Sequence, residues 1–257
     1  MQVMTNVTNT LLAGPYAYCE NSALQHPYRD IYYGLKLLGS SSNGCRGELL
    51  RNLSKEAGLA KTDQVKLELL RSLPWFEPTL VEEIFYLSLR ERFAYGMLDA
   101  DTLKTIRQYS PIVYMGAGNG YNAWLLEQLG ADILSLDAFP VEEGSNWFFN
   151  TRYGFPSGDG KSWTKVQKGD STSLRGIQNR TLFLCWPPKN SMAAKCLSAY
   201  SGNTLVLVGT KKSCANTAFF RELERNWEPL YSIKTGVWKS LHTEWLEVYE
   251  RRQFAAS

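Results

Sequence analysis

The chain has 257 residues, a net charge of only +3 and an apolar fraction of 44%. This is the composition of a soluble globular protein with one large domain, or with a core domain and a smaller appendage. The charge balance argues against nucleic acid as a partner, and no apolar run approaches membrane-spanning length. Five scattered cysteines without C-x-x-C spacing predict free thiols and no metal site. The N-terminus lacks the pattern of a signal peptide, so we expect a cytoplasmic protein.

The first hundred residues are predicted to form three or four amphipathic helices. Thr62 can cap one helix, and Pro78 suits the first turn of another. Apolar side chains recur at helical spacing after each of them. Most of these side chains are expected to pack in a core, and as a set the helices could cover the mouth of a sheet. We therefore predict a helical cap over residues 1–104 and a second domain over residues 105–257.

Tyr95 lies just before a predicted helix from Asp101 to Gln108. That helix leads directly into the segment at Pro111, so Tyr95 could reach over a ligand bound there. Packing in the core is the alternative role. Tyr95 is a candidate substrate-binding residue.

Residues 111–140 read PIVYMGAGNG, YNAWLLEQLG and ADILSLDAFP. A short apolar run, a glycine-rich turn, an amphipathic segment and a second apolar run predict a β-turn-α-β unit. Gly116, Gly118 and Gly120 allow positive φ angles and the close approach of a bound group. Asp137 ends the second strand, where a carboxylate can accept both hydroxyls of a ribose. The segment therefore predicts a nucleoside site, although tight turns also use glycine for structural reasons alone.

The glycine spacing narrows the choice of nucleoside. The dinucleotide fingerprint is G-x-G-x-x-G, whereas this turn is G-x-G-x-G followed by Tyr121. A tyrosine would obstruct close packing of the helix against a pyrophosphate. No G-x-x-x-x-G-K-[ST] sequence occurs, so a P-loop is also excluded.

This segment resembles the S-adenosylmethionine (SAM) site of class I methyltransferases, in which G-x-G-x-G opens the first helix and an acid ends the second strand. The resemblance implies SAM as the cofactor. One departure is Tyr114, which stands where the family usually has an acid that positions the methionine ammonium. The implied cofactor-binding residues of this segment are Gly116, Ala117, Gly118, Gly120, Asp137 and Ala138.

The segment from Ala138 to Trp163 shows neither helical nor strand periodicity and is rich in aromatic residues. A structureless loop of this length is uncommon unless it is functional. Trp147 and Tyr153 are candidate substrate-binding residues. A surface loop anchored by its aromatic residues is the alternative.

Residues 164–170 are predicted to form the third strand of the sheet, ending in Gly169 and Asp170. In class I methyltransferases the residue at this place commonly bonds the adenine amine. The resemblance therefore implies that Gly169, Asp170 and Ser171 contact the adenine end of the cofactor.

Residues 180–186 form an almost wholly apolar run, which predicts a central strand. The run leads into Trp186-Pro187-Pro188-Lys189, which is similar to the family motif in which an acid or amide, two prolines and an aromatic residue grip a target amine. Trp186 replaces the acid or amide and Lys189 replaces the aromatic residue. We predict that Cys185 and Trp186 border the route to the methyl group, with Trp186 in a catalytic position. The LCWPP sequence also resembles a little-characterised group of predicted SAM-dependent methyltransferases.

The remaining chain predicts a helix, a buried strand over residues 203–210, another helix and two alternating strands over 228–235 and 244–251. Seven strands in this order, the last antiparallel, match the class I methyltransferase sheet. We therefore expect a doubly wound, seven-stranded Rossmann-like α/β sheet with an N-terminal helical cap.

His242 lies between the last two strands, at the carboxyl edge of the predicted sheet. A neutral imidazole can accept a proton near physiological pH, so His242 is a candidate catalytic base. A solvent-exposed histidine is the alternative.

Three function classes remain open from the sequence. The first is a SAM-dependent methyltransferase acting on an N or O atom of a small molecule or peptide. The second is a nucleic-acid methyltransferase, and the third is a SAM-binding protein without activity. The acceptor and the oligomeric state are not predicted.

Overall fold

A computed structural model describes residues 24–40, 61–74, 76, 78–235 and 243–253. Seven α-helices and nine strands lie in this part of the chain. The helices are α1 Pro27–Ser40, α2 Lys61–Ser72, α3 Pro78–Arg92, α4 Ala100–Arg107, α5 Tyr121–Gln128, α6 Met192–Ala199 and α7 Thr217–Asn226. The strands are β1 Ile112–Met115, β2 Ile133–Asp137, β3 Thr151–Arg152, β4 Phe155–Pro156, β5 Gln167–Lys168, β6 Thr181–Cys185, β7 Thr204–Gly209, β8 Trp227–Thr235 and β9 Glu244–Arg251.

Seven of the strands form one sheet in the order β5-β2-β1-β6-β7-β9-β8. Neighbours from β5 to β7 are parallel, whereas β9 runs antiparallel to both β7 and β8. The strand order reverses between β1 and β6, so a crevice is expected there, outside the carboxyl ends of the strands. The predicted fold class, a doubly wound seven-stranded α/β sheet, is confirmed.

The three central strands are buried because their sequences are apolar throughout. In β1, IVYM is buried at every position, and β6 and β7 are buried at all their central positions. One face of the sheet packs against α1, α3, α4 and α5, and the opposite face packs against α6 and α7. Burial on both faces matches what parallel sheets require.

The described helices of the predicted cap share their apolar cluster with the sheet. Tyr28 and Leu35 of α1 and Phe85 of α3 lie in the same cluster as Phe183 and Leu246. The boundary at residues 104 and 105 stays a prediction. No helix within the described ranges is both long and apolar enough to cross a membrane.

Tyr121 joins the first described helix to the helix that follows the glycine turn. Its hydroxyl accepts a hydrogen bond from the backbone N–H of Tyr28 at 3.0 Å and lies 3.1 Å from Nδ1 of His26. His26 also donates from Nε2 to the Leu98 carbonyl at 2.7 Å. Burial lowers the pKa of His26 to about 4, so this histidine is neutral and structural.

Two predicted segments differ from the structure. The predicted third strand over residues 164–170 is reduced to the two residues of β5, because Val166 is the only large aliphatic residue in that segment. The segment after Ala138 does contain regular structure, namely a 3₁₀ turn over Val141–Glu143 and the β3–β4 hairpin. Both pieces are short, which explains why the sequence shows no periodicity there.

Candidate functional site

Asp137 fastens the glycine turn to the carboxyl end of β2. Its Oδ2 accepts a hydrogen bond from the backbone N–H of Gly118, and its Oδ1 accepts one from that of Phe139, each at 2.9 Å. A carboxylate oxygen can accept a second donor, so both oxygens can still accept a ligand hydroxyl. Burial raises the pKa of Asp137, and the two N–H groups oppose that shift. A ligand hydroxyl would further stabilise the ionised form.

The three glycines of the turn all have positive φ angles, between 58° and 76°. Each also meets a neighbouring side chain where a Cβ would stand. Gly116 faces the Met192 methyl group, Gly120 faces Val166 and Thr164, and at Gly118 a Cβ would overlap the ring of Phe149. The backbone conformation and the packing therefore both require glycine here.

The adenine-edge candidates lie beside Asp137. The backbone N–H of Gly169 donates to the Asp137 carbonyl at 2.9 Å, because β5 pairs with β2. Asp170 is exposed and caps the 3₁₀ segment Ser171–Gly176 by accepting from the Thr172 N–H at 2.8 Å. Hydrogen bonds from Thr172 lower the pKa of Asp170, so its carboxylate is ionised at neutral pH. Ala138, Gly169, Asp170 and Ser171 are thus grouped with Asp137 at one end of the crevice.

Trp186 directly follows β6, at the other side of the crevice. Its backbone has φ 51°, in the left-handed region, and its N–H donates to the Val208 carbonyl at 2.7 Å. Its indole Nε1–H donates to Oε2 of Glu244. The preceding residue, Cys185, has an enclosed thiol whose pKa is raised by burial, so it is not a ready nucleophile.

Glu244, the first residue of β9, is a site residue that sequence reasoning missed. Only 2% of it is exposed, and its Oε1 accepts a hydrogen bond from the Thr235 hydroxyl at 3.1 Å. Burial raises its pKa to about 7, against the opposing effect of its hydrogen bonds and of Arg90. A signal was present, because in EWLEVY the glutamate occupies the inward register of Leu246 and Val248. A carboxylate at an inward strand position is a marker of function or of a buried polar contact.

Arg90, near the end of α3, enters the crevice from the cap side. Its guanidinium lies 3.3 Å from the ring centroid of Tyr95 and 5.2 Å from that of Trp186. The rings of Tyr95 and Trp186 are 5.3 Å apart. The structure thus brings Tyr95, a predicted substrate-binding residue, together with Trp186.

The other two predicted substrate-binding residues lie on the outer surface of the loop after β2. Trp147 is 60% exposed and Tyr153 is 77% exposed, with their ring centroids 6.0 Å apart. Between them and the crevice lies Phe148, whose ring is 5.0 Å from that of Tyr95. An ion pair of 2.7 Å between Arg152 and Glu91 fastens this loop to α3. His242, the predicted base, lies outside the described residues.

A depression of about 480 Å³ lies at the opposite edge of the sheet, where β1, β6 and β7 begin. Its lining includes Arg180, which forms a surface ion pair with Asp132. It shares no residue with the crevice. Parallel sheets bind ligands at their carboxyl ends, and the convergent polar groups lie there, so we take the crevice as the candidate site.

No protein-family model matches the sequence, and no curated protein sequence does so either. Solved structures align with the chain at low similarity. A Thermoplasma acidophilum protein, 1320, covers 66% of this chain and 97% of its own, with 15% identity and a TM-score of 0.42. MtNAS, as a mutant in complex with S-adenosylmethionine, covers 88% and 98%, with 10% identity and a TM-score of 0.40. An O-methyltransferase family 2 protein from Planctomyces limnophilus, in complex with apigenin, covers 98% and 94%, with 11% identity and a TM-score of 0.33. Such alignments identify no activity for this chain.

Proposed function

We propose that this protein binds SAM at the carboxyl edge of its sheet and transfers the methyl group to an N or O atom of a small-molecule or peptide-like acceptor. The observation that carries the proposal is Asp137, placed at the end of β2 with one carboxylate oxygen bonded to the Gly118 N–H of the glycine turn and the other to the Phe139 N–H. The strand order and the antiparallel β9 support it, since they are the ones implied by the resemblance to class I methyltransferases.

The residues of the crevice fit an adenosine. Asp137 offers two acceptor oxygens for the ribose hydroxyls, and Gly169, Asp170 and Ser171 follow on the neighbouring strand for the adenine edge. Bound SAM supplies a sulfonium methyl group that needs little further activation. The protein's own task is then to position cofactor and acceptor in line and to accept a proton.

The position of Tyr121 argues against a dinucleotide. Its side chain is fully buried between α1 and α5 and hydrogen-bonded to Tyr28. Its ring therefore occupies the place where the third glycine of the dinucleotide fingerprint lets the helix pack closely on the strand.

Calorimetry tests the cofactor assignment. We expect the purified protein to bind SAM and S-adenosylhomocysteine but not NAD. Replacement of Asp137 by alanine (Asp137→Ala) should weaken binding by about 1.5–3 kcal/mol, because it removes a charged acceptor from the ligand. Asp132→Ala is the matched control: this acid directly precedes β2 at the opposite edge, and its loss should leave the affinity unchanged. Tight NAD binding, or equal affinities in the two variants, would contradict the assignment.

The aromatic surface beside the crevice supports a small-molecule or peptide acceptor. Tyr95, Trp147 and Tyr153 are all exposed, and we expect an acceptor to contact them. Aromatic rings bind apolar and planar groups at low entropic cost. The small net charge supports the same choice over nucleic acid, whose binding is dominated by contacts to phosphate.

His242 remains the proposed proton acceptor. Once an acceptor is known, His242→Ala should lower kcat by roughly 100-fold or more and leave SAM affinity intact, because a general base acts on the acceptor only. His26→Ala cannot serve as the control, since His26 holds α1 in place; His242→Gln serves instead, because it keeps polarity without a titrating ring. An unchanged kcat in both variants would assign His242 to the surface.

A second candidate is a SAM-binding protein without transferase activity. Trp186 favours it, since the resemblance places an amine-binding acid or amide there and the indole N–H is already engaged by Glu244. The two candidates differ in turnover. S-adenosylhomocysteine should accumulate when SAM and the protein are mixed with a small-molecule or peptide extract only if the protein is an enzyme.

A further inference from the structure

Two buried polar atoms of opposite type in the crevice lack a hydrogen-bond partner among the described residues. They are Nη2 of Arg90, a charged donor, and Oδ1 of Asn122, an acceptor. Each of these residues is only 3% exposed. The other polar atoms of Arg90 are engaged, since Nε donates to the Tyr95 carbonyl and Nη1 to the Tyr86 hydroxyl. Leaving such atoms unpaired costs about 1–3 kcal/mol each, and more for a charged group, which indicates a missing partner.

Both atoms belong to one neighbourhood, centred on Gly96 and Trp186. The Asn122 amide nitrogen lies 3.5 Å from the Gly96 carbonyl and 3.6 Å from the sulfur of Cys185. A Cβ on Gly96 would stand 2.7 Å from Nε1 of Trp186, and the Arg90 guanidinium lies 5.2 Å from the Trp186 ring. Asn122 is also the second residue of α5, directly after the glycine turn. The two atoms therefore lie beside the point where the strand order reverses.

A group that satisfies both atoms must present an acceptor to Arg90 and a donor to Asn122, and the positive charge of Arg90 favours an anionic acceptor. An α-amino acid group has this chemistry, since its carboxylate can pair with Arg90 and its ammonium can donate to Asn122. The resemblance leads one to expect an acid that binds the ammonium at position 114. Tyr114 stands there instead and cannot bind an ammonium as a carboxylate does. It is buried in β1, its ring centroid lies 4.6 Å from that of Phe183, and burial raises the pKa of its hydroxyl.

We propose that Arg90 binds the carboxylate and Asn122 the ammonium of the amino-acid end of SAM. One residue from α3 and one from α5 would thus take over the role of the acid that is absent at Tyr114. The inference rests on the proposed function, because it assigns the half of the cofactor that Asp137 does not reach.

Two ligands separate the halves of the cofactor. S-adenosylhomocysteine has the amino-acid end, whereas 5′-methylthioadenosine keeps the adenosine and the sulfur but lacks that end. For the full chain we expect Arg90→Met and Asn122→Ala each to weaken S-adenosylhomocysteine binding at least about tenfold, with 5′-methylthioadenosine binding changed less than about twofold. Arg90→Lys and Asn122→Asp should restore part of the affinity, because they keep the charge and the acceptor oxygen. Asp137→Ala is the matched control for the other half and should weaken both ligands.

The outcomes are distinct. Equal losses for both ligands in Arg90→Met and Asn122→Ala would show a structural role and overturn the inference. Unchanged S-adenosylhomocysteine affinity would also overturn it, as expected if the two atoms instead bind a separate amino-acid acceptor. If wild-type protein bound neither ligand, the proposed function itself would fail. Melting curves identify a variant that has lost its fold, and the two positions lie on different helices, so one misfolded variant leaves the other decisive.

Discussion

Glu244→Gln is expected to stabilise the protein above neutral pH and to remove a pH dependence that the wild type shows. Glutamine keeps an oxygen to accept the Trp186 indole N–H, and its amide can donate to the Thr235 hydroxyl. It does not place a buried negative charge in the crevice. The gain should reach about 3 kcal/mol at pH 8, because a pKa shift from 4.5 to about 7 corresponds to that free energy.

The sign follows from the direction of the shift. Because the folded-state pKa of Glu244 is raised, the folded protein binds more protons than the unfolded chain between pH 4.5 and about 7. The contribution of Glu244 to the stability of the wild type therefore falls as the pH rises through this window. His26, whose pKa is lowered to about 4, acts oppositely below pH 6.5. The difference between wild type and variant cancels the contribution of His26 and isolates Glu244.

Denaturant unfolding at a series of pH values from 5 to 8 measures this difference. Glu250→Gln is the control, since Glu250 is an exposed glutamate on the same strand and its loss should change little. Parallel stability curves for wild type and Glu244→Gln would show that Glu244 is ionised as easily in the folded protein as in the unfolded chain.

The fold was largely predictable because its central strands are local sequence features. The apolar runs of β1, β6 and β7 predict strands that are buried on both faces. The alternation of apolar and polar residues in β9 predicts an antiparallel strand with two different faces. The strand order came from the resemblance rather than from periodicity. β5 was overestimated because it is an edge strand with a single neighbour, β2, and edge strands need few apolar residues.

The candidate site was predictable only where its residues follow one another closely in the chain. Asp137 and the glycines belong to one β-turn-α-β unit, so their proximity follows from that unit alone. Arg90 and Glu244 come from α3 and β9, and only the tertiary structure brings them to Trp186. Their polar atoms carry no periodic signal, apart from the inward register of Glu244. Sequence reasoning instead chose His242, two residues away along the chain.

Two separate physical reasons require glycine at position 118. Its φ of 58° is unfavourable for other residues, and the Phe149 ring occupies the place of a Cβ. Gly118→Ala should therefore destabilise the protein by about 2–5 kcal/mol, from about 1–2 for the left-handed backbone and about 1–3 for the overlap. Gly144→Ala is the matched control, because Gly144 has φ 71° and no described atom lies within 4 Å of its Cβ position. It should cost only the backbone part.

A double-mutant cycle separates the two causes. In a Phe149→Ala background the overlap is gone, so Gly118→Ala should cost no more than Gly144→Ala, and denaturant unfolding should show a coupling of about 1–3 kcal/mol. An equal cost in both backgrounds would mean that the ring does not require this glycine. The same variants also test whether the cofactor approaches Gly118. If it does, adding Gly118→Ala to Phe149→Ala should still weaken S-adenosylhomocysteine binding, beyond any loss that follows from the lower stability of the fold. Unchanged binding would assign Gly118 to packing alone, with the cofactor held by Asp137 and the far side of the crevice.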